Sequence, residues 1–141
     1  MKKNHFLFVL LFCLFSSRLL YSTDLLINQP GKYKLGDSII SVPNITGDTI
    51  ITISSSNVLF DFGGYTLSQG NSVGNCTGII INPNLSDIII QNGCLQNITG
   101  TGILINQGCS KIKINNIAFK SIGFEGLALK LLKVSALKGL R

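Results

Sequence analysis

The sequence predicts an all-β chain wound into a solenoid of about three to four coils, followed by a short helical or irregular tail. Three observations predict it. The chain is similar to itself at a spacing of 24 residues, apolar residues alternate with period two inside each unit, and Asn, Gly and Ser punctuate the units where turns are needed. Helical periodicity is absent before the tail.

The first element is a targeting segment. Lys2 and Lys3 precede an unbroken apolar run from Phe6 to Phe15, and the small residues Ser16 and Ser17 follow. This is the outline of a secretory signal peptide over residues 1–22, with cleavage after Ser22. An uncleaved anchor is the alternative, but the run is short for a bilayer of about 30 Å. The mature chain is therefore expected to be secreted, periplasmic or displayed at the cell surface, with no integral membrane span.

Loss of residues 1–22 removes Lys2, Lys3, Arg18 and the only histidine, His5, so Lys+Arg falls from 12 to 9 against six acids and the net charge from +6 to +3. Four of the nine bases (Lys130, Lys133, Lys138 and Arg141) crowd into the last twelve residues. The body is nearly neutral. A nucleic-acid partner would require a basic face within the fold, so none is expected. Cys76, Cys94 and Cys109 remain after cleavage, an odd number in an exported chain; their pairing is open. Their spacing matches no metal-binding pattern and no mature histidine accompanies them, so neither a metal nor another cofactor is expected. Asn44, Asn75, Asn84 and Asn97 open N-x-S/T sequons, which matter only in a eukaryotic secretory pathway.

The repeat has a definite register. Offset by 24, Ser86 meets Ser110, Ile88 meets Ile112, Ile90 meets Ile114, Asn92 meets Asn116, Ile98 meets Ile122 and Gly102 meets Gly126. Gly78 to Asn82 likewise precedes Gly102 to Asn106 by 24, and Gly126 to Lys130 follows at the same distance. An earlier unit, Ser56 to Phe60, matches Ser86 to Ile90 at a spacing of 30, the six extra residues being assigned to the Gly/Ser/Asn-rich loop Ser68 to Asn75. A run such as Asp87 to Gln91 cannot bury its apolar side alone, whereas an equivalent strand stacked about 4.8 Å above it buries that side. Val58, Phe60, Ile79, Ile81, Ile88, Ile90, Ile103, Ile105, Ile112, Ile114, Leu127 and Leu129 are then expected to face inward. Asn82 above Asn106, and Asn92 above Asn116, are expected to form amide ladders at corners that demand left-handed backbone.

These units resemble the repeats of the right-handed parallel β-helix proteins, the pectate-lyase-like superfamily. The opening PGKYKLGDSI (Pro30 to Ile39) and the following ITISSSNVLFDFGGYTLS (Ile51 to Ser68) are similar to the first coils of such proteins, and the likeness extends over roughly residues 27–130. It implies a right-handed parallel β-helix over residues 23–130, with residues 131–141 as a basic tail or cap. A β-sandwich or a solenoid of different handedness is the alternative, because spacing does not reveal handedness.

The resemblance also implies work on polysaccharides in a groove on the outer face, but the residues of that chemistry are not in place. Asp24, Asp37, Asp48, Asp61, Asp87 and Glu125 are scattered singly, where glycoside hydrolysis needs two carboxyl groups about 5 to 9.5 Å apart. The Asn-x-Asp, Asp-Asp, Gly-His-Gly and Arg-x-Lys elements of polygalacturonases are absent, and the sole mature arginine is Arg141. A copper-delivery role, found among some β-helix proteins, lacks histidine ligands here.

The best substrate-binding candidate is the outward lane of Asp61, Gln91 and Asn115, equivalent positions in successive coils, with Lys113 beside it. Its polar groups suit the hydroxyls of a polysaccharide or surface glycan. Tyr33, Tyr65, Phe119 and Phe124 are the aromatic candidates for stacking on a sugar. A second outward lane, Ile80, Leu104 and Ala128, is apolar, either an interaction patch or covered core. In the tail, Leu131, Leu132 and Leu137 are set apart from Lys130, Lys133 and Lys138, as in a capping helix. Without a cap, the last coil would expose strand edges and invite self-association. The function expected is a non-catalytic surface, adhesion or carbohydrate-contacting module; the alternative is a fragment of a polysaccharide lyase or glycoside hydrolase whose catalytic coils are missing.

Overall fold

The computed structural model describes residues 25–41, 48–70 and 74–129. Eleven strands follow one another among them: β1 (Leu25–Ile27), β2 (Gly31–Lys34), β3 (Ile39–Ser41), β4 (Thr49–Ile53), β5 (Val58–Asp61), β6 (Thr66–Gln69), β7 (Thr77–Ile81), β8 (Ser86–Ile98), β9 (Ile103–Ile105), β10 (Ser110–Ile122) and β11 (Leu127–Leu129). All pair in parallel. One sheet runs β1-β4-β7-β9-β11; in the other, the first half of β8 pairs with β5 and so with β2, its second half pairs with β6 and so with β3, and β10 covers both halves. Such a ladder of returning strands is a parallel β-solenoid of about 4 turns. The proposed signal peptide, the sequon at Asn44 and the tail lie outside the described residues.

The expected register holds strand by strand. Ile88 pairs with Ile112, Ile90 with Ile114, and the rows Ile51–Ile79–Ile103–Leu127 and Ile53–Ile81–Ile105–Leu129 run up the first sheet. Inward residues of the middle coils are sealed: Val58, Phe60, Ile79, Ile81, Ile88, Ile90 and Ile103 are at most 1% exposed. The last coil departs from expectation, because Ile112 and Ile114 are only half-buried and Leu127 and Leu129 are exposed. They face the core, but no described strand stacks on their far side.

The six extra residues of the second coil are not all in one loop. Asp61 pairs with Gln91 at an offset of 30, yet Thr66 pairs with Cys94 at 28, so two of the six lie in the corner Phe62–Tyr65. The other four fall between β6 and β7, since the offset has dropped to 24 by Ile79 and Ile103. The first of these insertions drives Phe62 into the core, where it is fully buried and meets Phe60 edge to face at 5.1 Å. Gly93 makes the space: a Cβ there would stand 2.3 Å from the Phe62 side chain, while one coil later the same position holds Ile117. Buried Gln69 secures the second insertion, accepting from the Thr99 backbone N–H and hydroxyl at 2.9 Å and donating to the Gly74 carbonyl at 3.4 Å.

Of the two expected amide ladders, one forms. Asn92 and Asn116 both have positive φ (60° and 51°), and Asn116 Nδ2 donates to Asn92 Oδ1 at 3.2 Å. Asparagine tolerates this region better than other side chains, which is why the chain can turn between the two halves of β8 and of β10 here. Asn82 and Asn106 are not among the left-handed residues, and Asn106 Nδ2 instead donates to the Ile81 carbonyl at 2.9 Å. The Ile81 carbonyl at the end of β7, which also accepts from the Asn106 backbone N–H at 3.1 Å, takes the side-chain amide as a second donor in place of the stacked amide.

Candidate functional site

The outer face formed by β2, β5, β8 and the first half of β10 carries the most closely organised polar groups. Strand alternation sends every second residue outward, and parallel register aligns these residues in rows perpendicular to the strands. One row reads Lys34, Asp61, Gln91, Asn115; its neighbour reads Lys32, Leu59, Ile89, Lys113. Asp61, Gln91 and Asn115 thus share one row as the repeat implied, and Lys113 stands in the next. Lys32 and Lys34, which the sequence reading did not include, extend both rows at the opposite edge. Their alternation around Tyr33 was the available cue.

Asp61 is the hub of the face. Its carboxylate accepts from Gln91 Nε2 at 2.9 Å, from Asn92 Nδ2 at 3.2 and 3.4 Å, and from the Gly63 backbone N–H at 2.7 Å. The Gln91 amide above all, then the Gly63 N–H, the Asn92 amide and the Lys34 ammonium hold the Asp61 carboxyl below its ordinary value, against partial desolvation. A general acid at neutral pH requires the opposite shift. Asp61 is suited instead to orienting amides: the relay from Asn116 through Asn92 to Asp61, joined by Gln91, fixes four side chains across three coils. Asn92 and Asn116 are site neighbours that the lane alone did not include, although their place next to Gln91 and Asn115 in sequence marks them.

Beside the second row lies a shallow depression lined by Asp87, Ile89, Lys111 and Lys113. Lys111 pairs with Asp87 at 3.5 Å on an exposed surface, where such a pair contributes little. The Ser86 hydroxyl, more than Lys111, keeps the Asp87 carboxyl below its usual range. Among the described residues no three His, Cys, Asp or Glu side chains come together in a group that could hold a metal ion. Cys76 is buried, and Cys94 and Cys109 are half-buried thiols.

Of the aromatic candidates, Tyr65 and Phe124 are exposed, whereas half-buried Tyr33 and Phe119 pack against the core. In the apolar lane on the outside of the first sheet, Ile80, Leu104 and Ala128 are half-buried, with exposed Leu26 at its edge. Comparison with known proteins finds no match among family models, curated proteins or solved structures.

Proposed function

We propose that the protein is an exported, non-catalytic β-solenoid of pectate-lyase-like kind that serves as a surface, adhesion or carbohydrate-contacting module. The observation that carries this reading is the row Lys34, Asp61, Gln91, Asn115. Its members repeat at the strand spacing of about 4.8 Å, roughly the length of one sugar residue, and Asp61 holds the Gln91 amide in place before any ligand arrives. With Nε2 donated to Asp61, Gln91 keeps its Oε1 to accept from a hydroxyl, and the Lys34 ammonium and Asn115 amide supply donors at either end.

Binding of the chain to a glycan array, with reducing-end and unsaturated-product assays on every polysaccharide bound, tests the proposal. Binding without turnover is expected. Gln91→Ala and Asp61→Ala should each weaken it by about 10-fold, the equivalent of roughly 1.4 kcal/mol for a lost polar contact. Turnover would refute the non-catalytic reading in favour of the second one, a piece of a polysaccharide lyase or glycoside hydrolase. That second reading draws on the half-exposed inward residues of β10 and β11, which a further coil would cover.

A further inference from the structure

The described lysines are not scattered. All five lie on just two strands, Lys32 and Lys34 on β2 and Lys111, Lys113 and Lys120 on β10. Both are edges among the described strands, where β2 pairs with β5 alone and β10 with β8 alone. The strands stacked between them carry none. Interior strands hold Leu59 and Ile89 in the row of Lys32 and Lys113, Asp61 and Gln91 in the row of Lys34, and Ser68 and Gln96 in the row of Lys120.

The edges are otherwise well matched to each other. If the molecule's own register were continued by a second copy stacked on its end, Leu25 would lie on Leu127, Ile27 on Leu129, Tyr33 on Ile114 and Ile39 on Phe119. These are apolar on apolar; the residues on the β10–β11 side are half-buried or exposed, and on the first coil Leu25 is exposed and Tyr33 half-buried, whereas Ile27 and Ile39 are already covered. Open strand edges would supply main-chain hydrogen bonds as well. The outward row opposes this union, because the same register sets Lys32 directly opposite Lys113, with Lys34 and Lys111 close by. Like charges facing one another across neighbouring strands disfavour pairing, and lysine on edge strands is a recurrent means of preventing it.

We propose that Lys32 and Lys34 at one edge, and Lys111 and Lys113 at the other, keep the solenoid from stacking head to tail with a second copy of this chain. Nearby carboxylates do not cancel this row. Asp87, on the interior strand β8, pairs with Lys111, and Asp61, on the interior strand β5, faces Lys34 while bound to amides; in the end coils Asp37 lies in the β2–β3 turn and Glu125 in the β10–β11 turn, outside the row of Lys32 and Lys113. Repulsion of this kind is screened when the Debye length falls from about 10 Å at 0.1 M salt to about 3 Å at 1 M.

Sedimentation velocity of the full chain at low and high salt, with circular dichroism as the check on folding, tests the proposal. The unaltered chain should sediment as a single species near 15.2 kDa at low salt and form larger species at 1 M salt. Reversing one edge, Lys32→Glu with Lys34→Glu, should turn repulsion into attraction: the variant assembles at low salt as well as at 1 M. Reversing both edges, by adding Lys111→Glu and Lys113→Glu, should restore the single species at low salt. The proposal fails if the one-edge variant stays a single species at low salt, if the unaltered chain already assembles there, or if the two-edge variant assembles like the one-edge variant.

Discussion

Ile90 and Ile114 occupy the same place one coil apart, with the same side chain and the same strand geometry, yet Ile90 is sealed and Ile114 is half-buried. The same contrast separates Ile103, fully buried, from its partner Leu127, 43% exposed. At the β10–β11 end, where no described strand stacks on the far side, an inward residue is left partly uncovered, whereas Ile27 and Ile39 of the first coil stay buried. Burial here belongs to the stack rather than to the residue, which is the nearest-neighbour character of repeat proteins.

The largest expected effect exploits this contrast. Ile90→Ala should cost about 2 to 5 kcal/mol, through lost transfer energy and the cavity left behind. Ile114→Ala should cost less than half as much, because water already reaches its site and little cavity forms. Chemical denaturation of both variants measures the difference; equal losses would mean that the last coil is as well covered in solution as the middle ones.

A second comparison is between Gly93 and Ile117, equivalent positions with very different space around them. Gly93→Ala should cost about 1 to 3 kcal/mol, since its Cβ would meet Phe62 at 2.3 Å. In a Phe62→Ala background the same substitution should be nearly neutral, and a double-mutant cycle would show it. Additive losses would place the strain elsewhere.

The smallest effect concerns the two outward carboxylates. Asp61 and Asp87 are held below the ordinary carboxylate value of about 3.9, so each favours the folded state above that value and loses its contribution as pH falls through its lowered folded value. Asp61→Asn should therefore reduce stability at pH 7 and have a diminishing effect as the pH is lowered below 4. Denaturation midpoints followed from pH 7 to pH 2 check this, and a deficit independent of pH would show that geometry, not charge, makes Asp61 the hub.

Much of this was legible in the residues. Period-two alternation and the 24-residue offset identify Ile88, Ile90, Ile103 and Ile105 as inward and place Asp61, Gln91 and Asn115 in one row, because strand geometry and parallel register are periodic. Phe62 was not legible: it follows Asp61 in sequence, and only the two-residue insertion at its corner and the absence of a side chain at Gly93 turn it into the core. Nor was the difference between the two asparagine pairs. Asn92 and Asn116 adopt left-handed backbone and stack, whereas Asn106 finds the Ile81 carbonyl, a choice made by local geometry that composition does not encode.

By itself the sequence determined the strand class, the repeat length and which residues share a row, since all three follow from a period written into the order of apolar and polar side chains. Tertiary structure alone decided which inward residues are sealed and how the Asp61 carboxylate is occupied. It also decided that every described lysine stands at an edge, because Lys32 and Lys113 are 81 positions apart in the chain and only stacking makes one the first and the other the last of a single row.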